Sequence, residues 1–152
     1  MQFDSFHSLL QKDGFSALKN LYGTNPDVIA HQAERYSQLA AEFKSKFNTT
    51  EFEVFSSPGR TEIGGNHTDH NFGRVLAGAV NLDNIAMASA NGTMKVRIVS
   101  AGYPSFEVDL NNLKPDSKEF FTSESLIRGI SARRKELGYT IGGFDAVIDG
   151  GV

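Results

Sequence analysis

Between Ser57 and Val80 the sequence gathers polar side chains that could bind one small molecule together. Arg60 supplies a guanidinium, His67 an imidazole and Asp69 a carboxylate. A carboxylate can accept hydrogen bonds from two neighbouring hydroxyls, an imidazole can donate or accept one, and an arginine can hold a developing anion. This combination is typical of a site for a sugar or another polyol.

The backbone of the same stretch is rich in glycine, which permits positive φ angles and lets a ligand approach the main chain closely. Such a composition is unusual for a buried helix or strand. It predicts a folded loop between two strands, with the polar side chains converging on one point. A solvated connection with scattered polar groups is the alternative interpretation of the same residue types.

Three short motifs follow one another along this stretch: Pro58–Arg60, His67–Asp69 and Gly73–Leu76. Their order and spacing resemble the first signature of galactokinases, within the GHMP kinases of sugars and other metabolites. That signature reads approximately P-G-R-V-N-L-I-G-E-H-T-D-Y, and a G-x-V-L-P-x-A-I run follows it. The agreement of three spaced motifs is much more specific than an isolated glycine-rich motif.

The chain also departs from that pattern. Glu62 stands where galactokinases have asparagine, Asn66 where they have glutamate, His70 where they have tyrosine and Ala77 where they have proline. The resemblance assigns the family glutamate to a sugar hydroxyl far from the reacting oxygen. An amide there can still accept a hydrogen bond but brings no charge. The sugar therefore stays open between galactose and a related hexose.

The resemblance implies a kinase that transfers the γ-phosphoryl group of ATP, with Mg²⁺, to a hexose hydroxyl. It implies that Arg60 is catalytic and stabilises charge near the reacting oxygen. It implies further that His67 and Asp69 orient the sugar, and that Glu62 and Asn66 select it. A non-catalytic sugar sensor related to galactokinases is the alternative function.

A third hypothesis takes His67, Asp69 and His70 as ligands of a transition metal, because two imidazoles and a carboxylate suit zinc or iron. No further ligand is obvious in the sequence. The order of the residues has a better explanation in the sugar-kinase resemblance, so we expect no metal bound by these side chains.

The overall composition describes an ordinary globular chain of 152 residues, with 39 % apolar and 22 % charged residues. A net charge of −3 gives no reason to expect nucleic acid or a membrane as a partner. Without cysteine, disulfides and thiolate chemistry are excluded. The N-terminus does not read as a signal peptide, and no apolar segment is long enough to span a bilayer. We therefore expect a cytoplasmic protein.

Residues 1–50 are predicted to be helical. Helically spaced apolar residues with a break near Asp13-Gly14 predict one broken helix or two short ones. Asn25 followed by Pro26 is a typical helix start. The helix that follows is predicted from an apolar stripe formed by Ile29, Ala33, Tyr36, Ala40, Phe43 and Phe47.

Residues 51–152 are predicted to form a sheet with one further helix. Asn91-Gly92 is a strong hairpin signal and predicts that the strands on either side of it pair with each other. The strands are predicted over residues 51–56, 85–90, 94–100, 106–110 and 144–149.

The further helix is predicted to begin near Thr122 or Ser123 and to close at Gly138. Its inward residues are predicted to be Leu126, Ile127, Ile130 and Leu137. Together the elements predict a single α+β domain, residues 1–152, with a mixed, largely antiparallel sheet and helices packed on it. The resemblance identifies this as the N-terminal part of a GHMP-kinase fold.

The sequence has no Gly-Leu-Ser-Ser-Ser-type phosphate loop and no G-x-x-x-x-G-K-[ST] motif. In GHMP kinases such a loop follows a strand like the one predicted up to Asp149, and the catalytic aspartate lies beyond it. We therefore interpret the chain as a truncated N-terminal portion that is inactive alone, with ATP and Mg²⁺ bound mainly through other segments. Apolar surface left uncovered would favour self-association.

Overall fold

The computed structural model describes residues 1–11, 16–65 and 68–151, with Asp69 described by its backbone only. The predicted helix break near Asp13-Gly14 lies outside these residues. The helices are α1 (Phe3–Gln11), α2 (Ser16–Tyr22), α3 (Pro26–Phe47) and α4 (Ser123–Glu136), and the strands are β1 (Glu53–Gly64), β2 (Leu76–Ala90), β3 (Lys95–Ser100), β4 (Phe106–Asp109) and β5 (Phe144–Gly150). None of the helices in this described part is long and apolar enough to cross a membrane.

The strands form one mixed sheet in the order β1-β2-β5-β3-β4. Neighbouring strands run antiparallel, except that β3 and β5 run parallel. The α+β fold class and the mixed, largely antiparallel sheet are thereby confirmed.

The predicted hairpin at Asn91-Gly92 is wrong, because β5 lies between the two strands that the turn connects. The turn residues contact β5 and the segment before it. The Asn91 side chain donates to the Asp145 carboxylate at 2.7 Å, and the Asn91 N–H donates to the Gly143 carbonyl at 3.3 Å. A Cβ at Gly143 would lie 2.2 Å from the Lys95 carbonyl oxygen, so the approach of the two segments requires glycine. A strand from much later in the chain has displaced the local pairing.

Helices α1, α2 and α3 pack on one face of the sheet. Asn25 caps α3 as predicted, and its side chain accepts a hydrogen bond from the Asp27 N–H at 3.0 Å. The predicted apolar stripe of α3 is confirmed, because all of its members belong to or pack against one core cluster. From the sheet that cluster receives Ile85, Met87 and Val147.

One guanidinium, that of Arg35 on α3, ties the helical layer to the two strands at the centre of this face. Its Nη1 donates to Asp83 Oδ1 at 2.7 Å and its Nε donates to Asp149 Oδ2 at 2.5 Å. Its Nη2 donates to the backbone carbonyls of the same two residues at 2.9 and 3.1 Å. The Gly151 N–H donates to the Asp83 carbonyl as well, at 2.9 Å. The contacts fix β2, the end of β5 and α3 to one another.

The Asp83 carboxylate is 3 % exposed and is surrounded by donors. The Tyr22 hydroxyl donates to its Oδ2 at 2.5 Å, and the Ser56 hydroxyl donates to the same oxygen. Burial would raise the pKa of Asp83, but the hydrogen bonds from Ser56, Tyr22 and Arg35 outweigh it and lower the pKa. Burial and the bond to Asp83 raise the pKa of Tyr22. Asp83 is therefore ionised and Tyr22 neutral at neutral pH.

On the opposite face, α4 begins after the Thr122 cap as predicted, and the Thr122 hydroxyl accepts from the Ser125 N–H. The predicted inward set is wrong for three residues that are more than half exposed: Leu126, Ile130 and Leu137. Only Ile127 of that set packs on the sheet. The reason is that α4 lies at one end of the sheet, over β4.

Because α4 covers only one end, this face keeps an open groove of about 1050 Å³ over β1, β2 and β5. Successive side chains of a strand point to opposite faces, so alternate residues of each strand line the groove. The lining residues include Phe55, Ala86, Ala88, Phe144, Ala146 and Ile148. The groove is mainly apolar, and such surfaces favour association.

Replacing Tyr22 with phenylalanine removes one donor from the buried Asp83 carboxylate and should lower the free energy of unfolding at pH 7 by about 1–3 kcal/mol. The pKa of Asp83 is lower in the folded protein than in the unfolded chain, where it is about 3.9. This difference stabilises the folded protein above about pH 3.9, and the stabilisation is lost as the pH falls through the pKa of folded Asp83. Tyr22→Phe removes one of the hydrogen bonds that lower the pKa of Asp83. The difference in free energy of unfolding between the variant and the wild type should therefore become smaller in acid. Urea unfolding from pH 7 to pH 3 measures this, with Tyr103→Phe on the surface as the control. An equal deficit at every pH would contradict the assignment.

The open groove leads us to expect concentration-dependent self-association of this chain in sedimentation velocity, together with binding of a dye specific for apolar surface. Phe55→Lys places a charge in the groove and should reduce both signals. Leu21→Lys, an equally exposed position on the helical face, should leave both unchanged. A stable monomer without dye binding would refute the prediction.

Candidate functional site

Much of the motif-bearing stretch is strand, contrary to the predicted loop. β1 continues to Gly64 and β2 begins at Leu76, so the connection is reduced to residues 65–75. The two strands pair antiparallel and form an exposed ribbon, in which a polar, glycine-containing sequence is tolerated. Pro58 fits because β1 is an edge strand. The register shifts between Pro58 and Arg60, and again between Glu62 and Gly64.

Arg60 and Glu62 project from this ribbon with their side chains in contact. Their cross-strand partners are Ala79 and Ala77, whose small side chains leave room beside the two long ones. Arg60 Nη2 lies 3.4 Å from Glu62 Oε1, which is a weak pair, and the Arg60 side chain is 68 % exposed. Among the described residues this is the only ion pair of Arg60, and most of its side chain faces solvent.

Hydrogen bonds made by Thr68 hold the two ends of the connection close together. Its N–H and its hydroxyl both donate to the Gly65 carbonyl, at 3.2 and 2.8 Å. Its own carbonyl accepts from the N–H groups of Asn71 and Gly73, at 3.1 and 2.8 Å. A Cβ at Gly73 would lie 2.4 Å from the Thr68 Cβ. The His67–Asp69 motif and the Gly73–Leu76 motif are thus parts of one folded unit.

Thr68 is the middle residue of the His67–Asp69 motif, but the sequence analysis gave it no role of its own. A threonine among glycine and asparagine residues is a recognised local hydrogen-bonding element, and this signal could have identified it. Gly65 has a φ of +78°, and a Cβ there would lie 2.1 Å from the Arg74 carbonyl oxygen. Gly65 therefore shows the positive φ predicted for this stretch, while the group that approaches it closely is the Arg74 backbone and not a ligand.

Asn66 and His67 lie outside the described residues, and Asp69 is described only as the start of the short 3-10 turn Asp69–Asn71. The convergence of Arg60, His67 and Asp69 therefore stays a prediction. His70 is exposed, and its Nε2 lies 3.1 Å from the side-chain Nδ2 of Asn71. The described side chains contain no cluster of three metal-ligating groups, but those of His67 and Asp69 are not among them, so the metal hypothesis is untested.

The ribbon is anchored to the core shortly before Arg60. Ser56 on β1 donates to Asp83, the same carboxylate that Arg35 holds. The site and the central polar cluster therefore share one strand. Sequence reasoning did not find this cluster, because Arg35, Asp83 and Asp149 are far apart in the chain and no local spacing connects them.

Comparison with known proteins agrees with these features. Residues 41–90 match a family model described as the galactokinase galactose-binding signature. A galactokinase of Streptococcus thermophilus is 33 % identical over 120 residues, which are 76 % of this chain and 30 % of that protein. A galactokinase of Lactococcus lactis subsp. lactis is 29 % identical over 128 residues, 81 % of this chain and 32 % of that protein. The chain thus spans about a third of the length of these relatives.

The solved structures point the same way. The structure of Methanococcus jannaschii mevalonate kinase superimposes with a TM-score of 0.52 at 15 % identity, over 67 % of this chain and 33 % of that one, which shows the fold alone. The fold is that of the GHMP kinases. The Lactococcus lactis galactokinase complexed with galactose gives a TM-score of 0.68 at 30 % identity, over 78 % of this chain and 31 % of that one. The chain is a galactokinase-like member of the GHMP kinase family.

Replacing Gly73 with alanine should open the closed connection, because the new methyl group would overlap Thr68. Overpacking of this kind costs about 1–3 kcal/mol. We expect a lower melting temperature and faster hydrogen exchange of the Asn71 and residue-73 amides. Gly64→Ala is the matched control, because a Cβ at that glycine meets nothing within 4 Å. Unchanged exchange in Gly73→Ala would show that the Thr68 contacts do not hold the connection.

Proposed function

We propose that this chain is the sugar-binding part of a galactokinase-like kinase that transfers the γ-phosphoryl group of ATP to a hexose hydroxyl. The observation that carries the proposal is the match of residues 41–90 to the galactose-binding signature. The order of the three motifs and the likeness to a galactokinase solved with galactose support it. These relatives are galactokinases, so the comparisons do not favour the alternative of a sugar sensor.

The proposed roles follow from the chemistry of each side chain. Arg60 stabilises the charge that develops near the reacting oxygen, and its high exposure and weak pairing leave it available. His67 and Asp69 orient the sugar through its hydroxyls, while Glu62 and Asn66 tune which sugar is accepted. Galactose is the first candidate sugar, and a related hexose is the second.

ATP and Mg²⁺ enter the proposal through the resemblance to kinases. The sequence contains no phosphate-loop motif, so we propose that other segments of the whole protein hold the nucleotide and its metal. The bound nucleotide would supply the phosphoryl group. Catalysis of phosphoryl transfer depends mostly on positioning and electrostatic stabilisation. The part described here would therefore be necessary for the reaction and insufficient for it.

In the whole protein, Arg60→Gln should reduce kcat for galactose by about 10²–10³-fold, as expected when one group that stabilises transition-state charge is lost. KM for galactose should change much less, because Arg60 acts on the developing charge. Arg74→Gln, an exposed arginine next to the same connection, is the control. A coupled assay of ADP release measures both constants. Turnover of ATP with a hexose by residues 1–152 alone, or an unaltered kcat in Arg60→Gln, would contradict the proposal.

A further inference from the structure

Glu62 differs from the buried carboxylates of the described structure. Asp83 is held by Arg35, Tyr22 and Ser56. Asp145, also buried, accepts from Asn91 at 2.7 Å and from two nitrogens of Arg97 at 2.7 and 2.6 Å. Carboxylates that serve the fold are thus well supplied with donors.

At Glu62 only one oxygen has a partner. Its Oε1 forms the weak pair with Arg60, whereas its Oε2 is buried and accepts no hydrogen bond from any residue in the described part of the chain. A buried charged acceptor without a donor is unfavourable for the free protein. Among the described residues no donor offsets this cost, so their contacts do not explain why a carboxylate occupies this position.

A ligand can supply the missing donor. Glu62 lies two residues after Arg60 on the same strand, and the side chains of the two residues are in contact. An ionised carboxylate is an acceptor only, so it requires a donor, whereas the asparagine of the galactokinase pattern can both donate and accept. A ligand of this chain must therefore present a hydrogen-bond donor to Glu62, whereas an asparagine at this position would also accept a ligand that presents an acceptor.

We propose that Glu62 Oε2 accepts a hydrogen bond from the sugar and makes a donor at that position a condition of binding. This inference rests on the proposed function and deepens it. The substrate class is a neutral hexose or an amino sugar that presents a hydroxyl or ammonium group to Glu62. A sugar acid with its carboxylate at that position is rejected, because two like charges would meet beside the buried Oε2 atom of Glu62.

The test uses the whole protein and titration calorimetry with galactose and each of its monodeoxy derivatives. Glu62→Met keeps the length of the side chain and removes the acceptor. We expect it to weaken galactose binding by about 10–100-fold. One monodeoxy sugar should bind the wild type as weakly as galactose binds Glu62→Met. The affinity of that sugar should not fall further when the protein carries Glu62→Met. That sugar would identify the hydroxyl that Glu62 contacts.

A stability measurement separates a ligand contact from a structural role. Since Oε2 has no donor among the described residues, Glu62→Met should melt at the same temperature as the wild type or higher, and binding alone should fall. Glu62→Gln, which keeps an acceptor, should recover part of the affinity. Glu107→Gln is the matched control, because Glu107 is a strand carboxylate paired with Lys95 away from the site.

Two results would overturn the inference while leaving the proposed kinase intact. One is unchanged galactose affinity in Glu62→Met, and the other is an equal loss for galactose and every monodeoxy derivative. A wild-type protein that neither binds nor phosphorylates any hexose would overturn the proposed function, and the inference would fall with it.

Discussion

The largely buried guanidinium of Arg35 makes the contacts on which the rest of the described structure depends. Removing its charge from water is costly, and the cost is met only because both carboxylate and carbonyl oxygens surround it. Those acceptors come from β2 and from the end of β5, while the arginine comes from α3. One side chain therefore holds together three elements that are distant in sequence. Through Asp83 and Ser56 the same network reaches β1, the strand that carries Arg60.

The proposed sugar site lies where β1, an edge strand, pairs with β2 and the side chains are exposed. This arrangement gives Arg60 and Glu62 a fixed base without committing their polar atoms to the core. Asp83 accepts hydrogen bonds from Tyr22, Ser56 and Arg35, whereas Glu62 Oε2 has no donor among the described residues. The first carboxylate stabilises the fold, and the second is the one for which we propose a contact with the sugar. Thr68 closes the connection beside them through backbone contacts.

The two faces of the sheet differ because of what each one packs against. The face under α3 is closed by aromatic and aliphatic side chains, and its central residue from β5 is Val147. The other face, which carries Ala146 and Ile148, is covered by α4 at one end only and leaves the groove open. The groove is open and mainly apolar, and such a surface favours association.

The sequence by itself determined the features whose causes are local. The cap and stripe of α3, the start of α4 and the order of the galactokinase-like motifs can all be read from residues close together in the sequence. Only the tertiary structure decided the rest. β5 separates the strands around Asn91-Gly92, the β1–β2 ladder turns half of the predicted loop into strand, and Arg35 finds Asp83 and Asp149. Each of these depends on which distant segment satisfies a strand edge or a buried charge, and local spacing carries no information about that choice.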